Sequence, residues 1–362
     1  MRPSLYPVWM RYGFWLPVFG GWLRNIDDEQ MPPTWDYARV LCQRAEQIGY
    51  DLTLIAELNL NDIKGVDAAS LDAWSTAAAL AAVTSTLELM VAVRPTFHNP
   101  ALLAKQAANI DRICGGRLTL NVVSSWWRDE STKYGIHFDE HDQRYARTSE
   151  WIDVVDGCWR DQHFTHQGAL YNVADNILSP KPLPGRRLSG TPEAPATPYG
   201  RPTLYAGGES ETAKNLIAAK CDAYLMHGDP PAIVGPKIAD MRARRERLGL
   251  GPMTYGVVGY AIVRDSDAEA TREVARITDV KQSARGYENY QQWITGSKLE
   301  QKISLEDYSV SNRGLRSGFV GTAEAIKERL AEFADVGVDL VLLQSSPQAE
   351  EMERFSAQVI CG

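Results

Sequence analysis

Residues 117–145, RLTLNVVSSWWRDESTKYGIHFDEHDQRY, decide the fold of this chain. Within them a short apolar run, residues 118–123, stops abruptly at SSWW, residues 124–127, and the pair Arg144-Tyr145 opens the next helical pattern. This pattern predicts a buried strand that ends in a polar and aromatic mouth and is followed by a helix. Because ligands of α/β proteins lie at the carboxyl ends of strands, we expect the chemistry to centre here.

Strand-like and helix-like segments alternate on both sides of this stretch. The predicted strands are 12–18, 51–56, 87–93, 118–123, 203–206, 222–226, 254–263 and 340–343. The predicted helices are 34–48, 71–82, 100–114, 145–159, 211–219, 231–248, 267–277, 322–336 and 349–359. Eight strands, each followed by a helix, predict an α/β fold of the (β/α)8 TIM-barrel type. An open doubly wound sheet or two domains is the alternative, which the lack of a GxGxxG strand-turn disfavours.

We predict a single domain over residues 1–362 with two insertions. An excursion at about 162–201 combines a hairpin around Gly168 with a loop rich in Pro, Gly, Ser and Thr. Residues 281–318 are polar, are predicted to be irregular, and have the length of a mobile lid or binding segment. A cationic lid is one interpretation of this segment, and a solvated charged loop is the other. The cations concerned are Arg285, Lys298, Arg313 and Arg316.

Composition narrows the possible partners. The net charge of −8 disfavours nucleic acid. No apolar run approaches the roughly 20 residues that span a bilayer, so no membrane segment is expected. The five cysteines are scattered and lack a CxxC pair, which favours a reduced, cytoplasmic setting.

Residues 137–141, HFDEH, match the letters of an inverted zinc-protease motif. That chemistry needs both histidines on one helical face with a third ligand nearby. Here residues 137–141 precede the predicted helix and lie among acidic residues. We interpret them as a polar loop and predict no metal site.

Three features indicate an anion site at the strand ends. Gly207-Gly208 follows a predicted strand, and Ser210 is placed to cap the next helix, whose N-terminus favours phosphate. Arg144 offers a planar fork for phosphate, and Tyr145 offers a hydroxyl. An ordinary tight turn, a surface arginine and a packed tyrosine are the alternatives.

Polar and aromatic side chains at strand ends suggest a pocket. Asn121 lies inside an apolar strand, where its amide needs a partner, either a ligand or a neighbouring strand. Large aromatic side chains suit a planar ring system, although core packing explains any single tryptophan equally well. The predicted pocket walls are Trp15, Trp22, Trp126 and Trp127.

The chain resembles the bacterial luciferase-like family of flavin-dependent monooxygenases over nearly its whole length. The segments that carry the resemblance are RPTFHNPALLAKQAANIDRICGGRLTLNVVSSWWRDE (94–130), EHDQRYARTSEW (140–151), YAGGESETAKNLIAAKCDAYLMHGDPP (205–231) and VGVDLVLLQ (336–344). The most similar branch holds the dimethyl sulfone, alkanesulfonate and pyrimidine monooxygenases.

The resemblance implies a TIM barrel that takes reduced FMN (FMNH2) from a separate NAD(P)H:flavin reductase. It implies that O2 adds to the reduced flavin and that the resulting flavin peroxide oxidises a small organic substrate, such as a sulfone or related organosulfur compound. It also implies a homo-oligomer, a dimer or tetramer. The positions that match flavin contacts are Ala56, Glu57, Asn121 and Glu130. The positions that match the family's phosphate site are Arg144, Tyr145 and Ser210. They coincide with the anion site that the Gly207-Gly208 turn indicates.

Departures from the alkanesulfonate enzymes leave the substrate open. Their strand-seven arginine and histidine match Val258 and Tyr260 here, and His227 stands where that branch has tryptophan. The resemblance therefore argues against a simple sulfonate. Candidates for substrate contact or proton transfer are His98, His227, Tyr260 and Arg313. A heterocycle such as a pyrimidine, a deazaflavin-dependent oxidoreductase and a non-catalytic flavin-binding relative remain as alternatives.

Overall fold

The structure is a computed structural model that describes residues 10–184, 199–281, 284–300 and 303–362. Eight parallel strands close into a barrel in the order β1-β12-β9-β8-β7-β4-β3-β2. These strands are β1 (Arg11–Trp15), β2 (Leu52–Ile55), β3 (Glu88–Val93), β4 (Leu118–Val122), β7 (Thr203–Gly207), β8 (Ala223–Met226), β9 (Thr254–Tyr260) and β12 (Leu340–Gln344). The predicted (β/α)8 barrel is confirmed.

Helices cover the outside of the barrel, and their ends follow local sequence signals. They are α1 (Trp35–Gln47), α2 (Ala73–Val83), α3 (Pro100–Ile113), α4 (Arg128–Lys133), α5 (His141–Arg160), α6 (Glu211–Lys220), α7 (Pro231–Arg247), α8 (Asp267–Ile277), α9 (Tyr290–Gly296), α10 (Leu305–Tyr308), α11 (Ala323–Asp335) and α12 (Gln348–Phe355). Helix α3 shows the rule: Asn99 accepts from the backbone N–H groups of Ala101 and Leu102, and Gly115, at φ +66°, follows its end.

Several predicted boundaries differ from the structure: β1 ends at Trp15, three residues before the predicted end. Two further differences have a clear cause. Helix α5 begins at His141, four residues before the predicted start, because residues 141–144 are polar and do not extend the apolar periodicity. The predicted strand 254–263 is two strands. After β9 the chain leaves the barrel wall, and β10 (Ile262–Val263) pairs with β11 (Val320–Gly321) outside it.

The two insertions fall at the places where the alternation breaks. Strands β5 (Phe164–Gln167) and β6 (Asn172–Asn176) pair as an antiparallel hairpin. Part of the predicted loop, residues 185–198, lies outside the described residues, as do 282–283, 301–302 and the first nine residues of the predicted domain. The described part of 281–318 is not irregular as predicted. It holds α9, α10 and two 3-10 turns, which are too short to produce a visible apolar periodicity.

The barrel interior is filled at one end and open at the other. Side chains such as Leu52, Leu54, Met90, Tyr205 and Leu342 pack inside the barrel with almost no exposure. This packing leaves the carboxyl ends of the strands as the place for a ligand. No helix in the described part of the chain is both long enough and apolar enough to cross a membrane.

Candidate active site

A cavity of about 300 Å³ opens at the carboxyl ends of the barrel strands. Most of the site residues that the sequence predicts lie along its wall. These are Trp15, Trp22, Ala56, Glu57, Asn121, Trp126, Arg144, Tyr145, Gly207, Gly208, Ser210 and His227. Residues of the predicted lid also line the cavity, namely Trp293, Gly296, Ser297, Lys298, Leu299, Tyr308, Ser311 and Asn312.

One end of the cavity is built by the turn between β7 and α6. Ser210 caps α6 by accepting a hydrogen bond of 3.2 Å from the backbone N–H of Ala213. Tyr145 lines the same end of the cavity, and Gly208 lies so close to it that a Cβ there would be 3.1 Å from the Tyr145 hydroxyl. The predicted phosphate residues are thus brought together at a helix N-terminus, where backbone N–H groups favour an anion.

Arg144 adds a positive charge to this end of the cavity. Its guanidinium donates to the backbone carbonyls of Ser124 (3.1 Å), Asp139 (3.0 Å) and Gly296 (3.1 Å). Burial lowers the pKa of this guanidinium, because burial disfavours the charged form. Within the described part of the chain no carboxylate lies within ion-pair distance of it. Since a buried cation without a counter-charge is unfavourable, this geometry fits a bound anionic group such as a phosphate.

Two polar groups of the segment around β4 have unmet hydrogen-bonding capacity. The Asn121 side chain is 9% exposed, lines the cavity, and forms no hydrogen bond with any described residue. The buried hydroxyl of Ser125 also lacks a partner among the described residues, and its backbone is left-handed at φ +53°. Buried polar groups are normally paired, so both groups fit a ligand. The sequence analysis missed Ser125 as a site residue, since sequence alone does not reveal its backbone conformation.

Glu130 and His98 lie behind the cavity wall rather than on it. Glu130 is fully buried, pairs with Arg94, and accepts a 2.5 Å hydrogen bond from the backbone N–H of Asn59. His98 Nε2 lies 2.5 Å from Glu57 Oε1, and Glu57 itself lines the cavity. Both predicted residues therefore reach the cavity only through Arg94 and Glu57.

A second buried charge cluster lies beside His227. Arg313 is fully buried and pairs with Glu209 and with Asp229 (3.2 Å). Burial and then the Arg313 charge lower the pKa of His227 to about 4, so this imidazole is neutral near pH 7. His227 lines the cavity, but Arg313 does not.

The four cations named in the cationic-lid interpretation all lie near carboxylates. Arg313 is bound to two carboxylates, and each of the other three named cations also has a carboxylate within 4 Å. The pairs are Arg285–Asp67, Lys298–Asp142 and Arg316–Asp229. Each of these four cations is therefore offset by a nearby carboxylate.

Tyr260 and Trp127 are further predicted residues that the structure does not bring to the cavity. Tyr260 is 1% exposed, packs in the apolar core, and has a pKa that burial raises well above its ordinary value. Trp127 is fully buried, and its ring is stacked on Trp126 at 5.4 Å and 4°. Trp127 is buried on the far side of this stack, so only Trp126 of this pair lines the cavity.

The HFDEH residues divide between a loop and a helix. His137 is exposed and pairs with Asp139 at 3.2 Å. His141 is the first residue of α5, lies 2.7 Å from Asp142, and lines the cavity, so the prediction that both histidines lie in a loop is wrong for it. Among the described residues there is no group of three His, Cys, Asp or Glu side chains able to hold a metal ion.

Comparison with known proteins agrees with this architecture. A family model described as luciferase-like monooxygenase matches residues 10–340. The FMNH2-dependent dimethylsulfone monooxygenase of Pseudomonas fluorescens (strain Pf0-1) is 31% identical over 97% of this chain and 93% of its own length. The protein of the same description from Pseudomonas putida is 30% identical over 97% of this chain and 94% of its length.

Solved structures share the fold at low sequence identity. A long-chain alkane monooxygenase (LadA) has a TM-score of 0.80 at 17% identity, with 98% of this chain and 91% of that chain covered. DmoA from Hyphomicrobium sulfonivorans has a TM-score of 0.76 at 18% identity, with 98% and 87% covered. The chain belongs to the luciferase-like monooxygenase family, which confirms the resemblance identified in the sequence.

Proposed function

We propose that this protein is the oxygenase component of a two-component monooxygenase that uses FMNH2 and O2 to oxidise a small neutral organosulfur compound. Dimethyl sulfone is our first candidate, because both curated relatives are named for it. The observation that carries the proposal is the buried Arg144 guanidinium, which faces the cavity beside the N-terminus of α6 without a carboxylate partner among the described residues.

The cavity residues fit FMN as a group with an anionic end and a planar ring. Arg144, Tyr145 and Ser210 would hold the phosphate, and Asn121 would supply its free amide to a polar edge of the ring. Reduced FMN, when bound, supplies the electrons with which O2 is activated. The chain's own work is then to position both reactants and to exclude water, for which Trp126 and the residues of 293–299 enclose the cavity.

The charges around the cavity favour a neutral substrate. Arg24 is paired with Asp62 at 2.6 Å, and Arg94 is paired with Glu57 and Glu130. These lining arginines carry no spare positive charge for an anionic substrate. The rest of the wall includes apolar side chains suited to small alkyl groups, namely Trp15, Trp22, Leu54, Ala92, Leu225, Met226 and Val258.

The proposed partner is an NAD(P)H:flavin reductase that delivers FMNH2. The proposal also includes a cytoplasmic location and a homo-oligomeric state. Purified protein with FMN, a flavin reductase, NADH and isotope-labelled O2 should incorporate one labelled oxygen atom for each dimethyl sulfone consumed. Uracil in place of the sulfone tests the heterocycle alternative, and reduced deazaflavin in place of FMNH2 tests the other cofactor. Absence of labelled product with the sulfone would overturn the proposed substrate.

A further inference from the structure

We propose that Asn312 is a specificity-determining residue that hydrogen-bonds to a neutral polar group of the substrate, and that Arg313 positions it. The inference rests on the proposed function and deepens it, because it assigns recognition of a sulfonyl-type oxygen to one side chain. Neither residue belongs to the proposed FMN site.

The backbone at these two residues has an uncommon conformation. Asn312 is at φ 58° and ψ 25°, and Arg313 is at φ 57° and ψ 27°, so two consecutive non-glycine residues are left-handed. Asparagine tolerates this region better than most residues, but arginine is strained there. Strain of this kind persists only where the surrounding structure enforces it, and such sites cluster where ligands bind.

Contacts with the segments that follow β7 and β8 enforce this conformation. The buried Arg313 guanidinium is held by Glu209 and Asp229. The backbone N–H of Gly228 donates to the Asn312 carbonyl at 3.1 Å. A Cβ at Gly228 would lie 2.7 Å from the Arg313 carbonyl oxygen and 2.7 Å from that of Val258, so only glycine allows this close approach. The segment is therefore fixed on both sides of Asn312.

The fixed segment presents an unsatisfied amide to the cavity. Asn312 lines the cavity, and no described residue hydrogen-bonds to its side chain. The preceding Ser311 differs, because its hydroxyl is already paired with Gln344 at 2.8 Å. Apolar side chains of Met226 and Val258 line the same cavity. A free amide beside these apolar side chains matches a small molecule that is apolar apart from an oxygen acceptor.

Asparagine could serve the backbone alone, and the test separates that role from recognition. Asn312→Gly removes the amide and keeps full tolerance of the left-handed backbone. The matched control is Gln30→Gly, since Gln30 is also at φ 58° but is exposed and outside the cavity. Dissociation constants for dimethyl sulfone and dimethyl sulfide, which lacks the sulfonyl oxygens, are measured by titration calorimetry on FMN-saturated protein.

For Asn312→Gly we expect the dissociation constant of dimethyl sulfone to rise about tenfold, the effect of one lost hydrogen bond. The dissociation constants of dimethyl sulfide and of FMN should not change. KM for dimethyl sulfone should rise together with its dissociation constant. Equal binding of the sulfone by wild type and variant would overturn the inference, and so would equal weakening of both ligands, since that indicates packing.

The role of Arg313 is tested through the same two ligands. Arg313→Lys keeps the positive charge beside Glu209 and Asp229 but replaces the guanidinium by a shorter side chain, which shifts the backbone that positions Asn312. Binding of dimethyl sulfone should therefore weaken about threefold, and binding of dimethyl sulfide should not change. In Asn312→Gly/Arg313→Lys no further weakening is expected, because the effect of Arg313 passes through Asn312. Additive losses would overturn the positioning role. If wild type binds FMN but no sulfone, both this inference and the proposed substrate fail; if only the variants behave unexpectedly, the proposed function stands.

Discussion

The Arg144 guanidinium donates from Nη2 to the backbone carbonyl of Gly296 over 3.1 Å. This contact joins helix α5 at the rim of the barrel to the end of α9, in the segment that covers the cavity. Gly296 is closely seated there, since a Cβ at this position would lie 2.7 Å from the carbonyl oxygen of Trp126. One cation therefore both faces the proposed phosphate site and anchors the covering segment.

Arg144→Ala should weaken FMN binding about ten- to hundredfold, because a charge-assisted hydrogen bond to a phosphate is worth roughly 1.5–3 kcal/mol. Arg144→Lys should recover part of the loss by restoring the charge without the planar fork. Fluorescence titration of FMN measures both. Arg272→Ala is the control for net charge, since its side chain is 70% exposed on α8. Unchanged affinity in Arg144→Ala would remove the phosphate assignment.

Gly208→Ala should disrupt the same site from the opposite side. A Cβ at Gly208 would lie 2.6 Å from the Ala213 Cβ, so the turn that presents Ser210 must shift. We expect a loss of about 1–3 kcal/mol of stability and weaker FMN binding. The control is Gly251→Ala, which meets no atom within 4 Å. Thermal melting and FMN titration on both variants check this, and similar results for the two would contradict it.

His227 should make stability depend on pH. Its pKa is lowered from 6.5 to about 4 in the folded protein by burial and by Arg313, so the unfolded chain binds the proton more readily. Its contribution to stability is complete above pH 6.5 and is lost as the pH falls towards about 4. The full loss is about 3 kcal/mol.

Urea unfolding across that pH range measures the effect. His227→Gln should flatten the decrease of unfolding free energy on acidification. The control is His163→Gln, whose side chain is 57% exposed on the surface and which should keep the wild-type slope. A His227→Gln slope equal to that of wild type would show that other groups govern the acid response.

The barrel could be predicted from the sequence because most of its strands are short apolar runs and several helices have a local stop or cap. Asn99 before Pro100 and Gly115 after α3 are examples whose effect acts within a few residues. The clustering of the proposed phosphate residues could be predicted for a similar reason, since Gly208 and Ser210 lie two residues apart in the sequence and line the same cavity.

Other parts of the site depend on contacts between distant residues, and these were not visible in the sequence. Arg313 resembles a free cation in the sequence, yet it is neutralised by Glu209, which lies 104 residues away. The sequence does not distinguish Trp126 from Trp127, but only Trp126 lines the cavity. The backbone before them is left-handed at Ser125, and this conformation is not visible in the sequence. Partner identity and backbone strain are tertiary properties, which is why they appear only in the structure.

Glu130→Gln should destabilise the protein by about 1–3 kcal/mol, because the buried Arg94 guanidinium loses one charged partner and keeps Glu57 as the other. Glu130 is fully buried and also accepts the backbone N–H of Asn59. Glu332→Gln is the matched control, since it breaks an exposed pair with Arg329 worth about 0–1 kcal/mol. Urea unfolding compares them. A small effect at Glu130 would show that the pair is not required for folding.

Ser125→Gly should stabilise the fold while weakening ligand binding. The substitution relieves a left-handed backbone at φ +53° and removes a buried hydroxyl without a partner. Each change contributes about 1 kcal/mol, against an entropy cost of up to about 1 kcal/mol for the new glycine, so the net gain is about 1 kcal/mol.

Ser125 lines the cavity, so FMN or dimethyl sulfone should bind a few times more weakly to Ser125→Gly. Asp175→Gly is the control, because it relaxes a similar backbone at φ +47° on the exposed hairpin without touching the cavity. Thermal melting and ligand titration separate the two effects. A gain in stability with unchanged binding of both ligands would mean that Ser125 carries strain without serving the site.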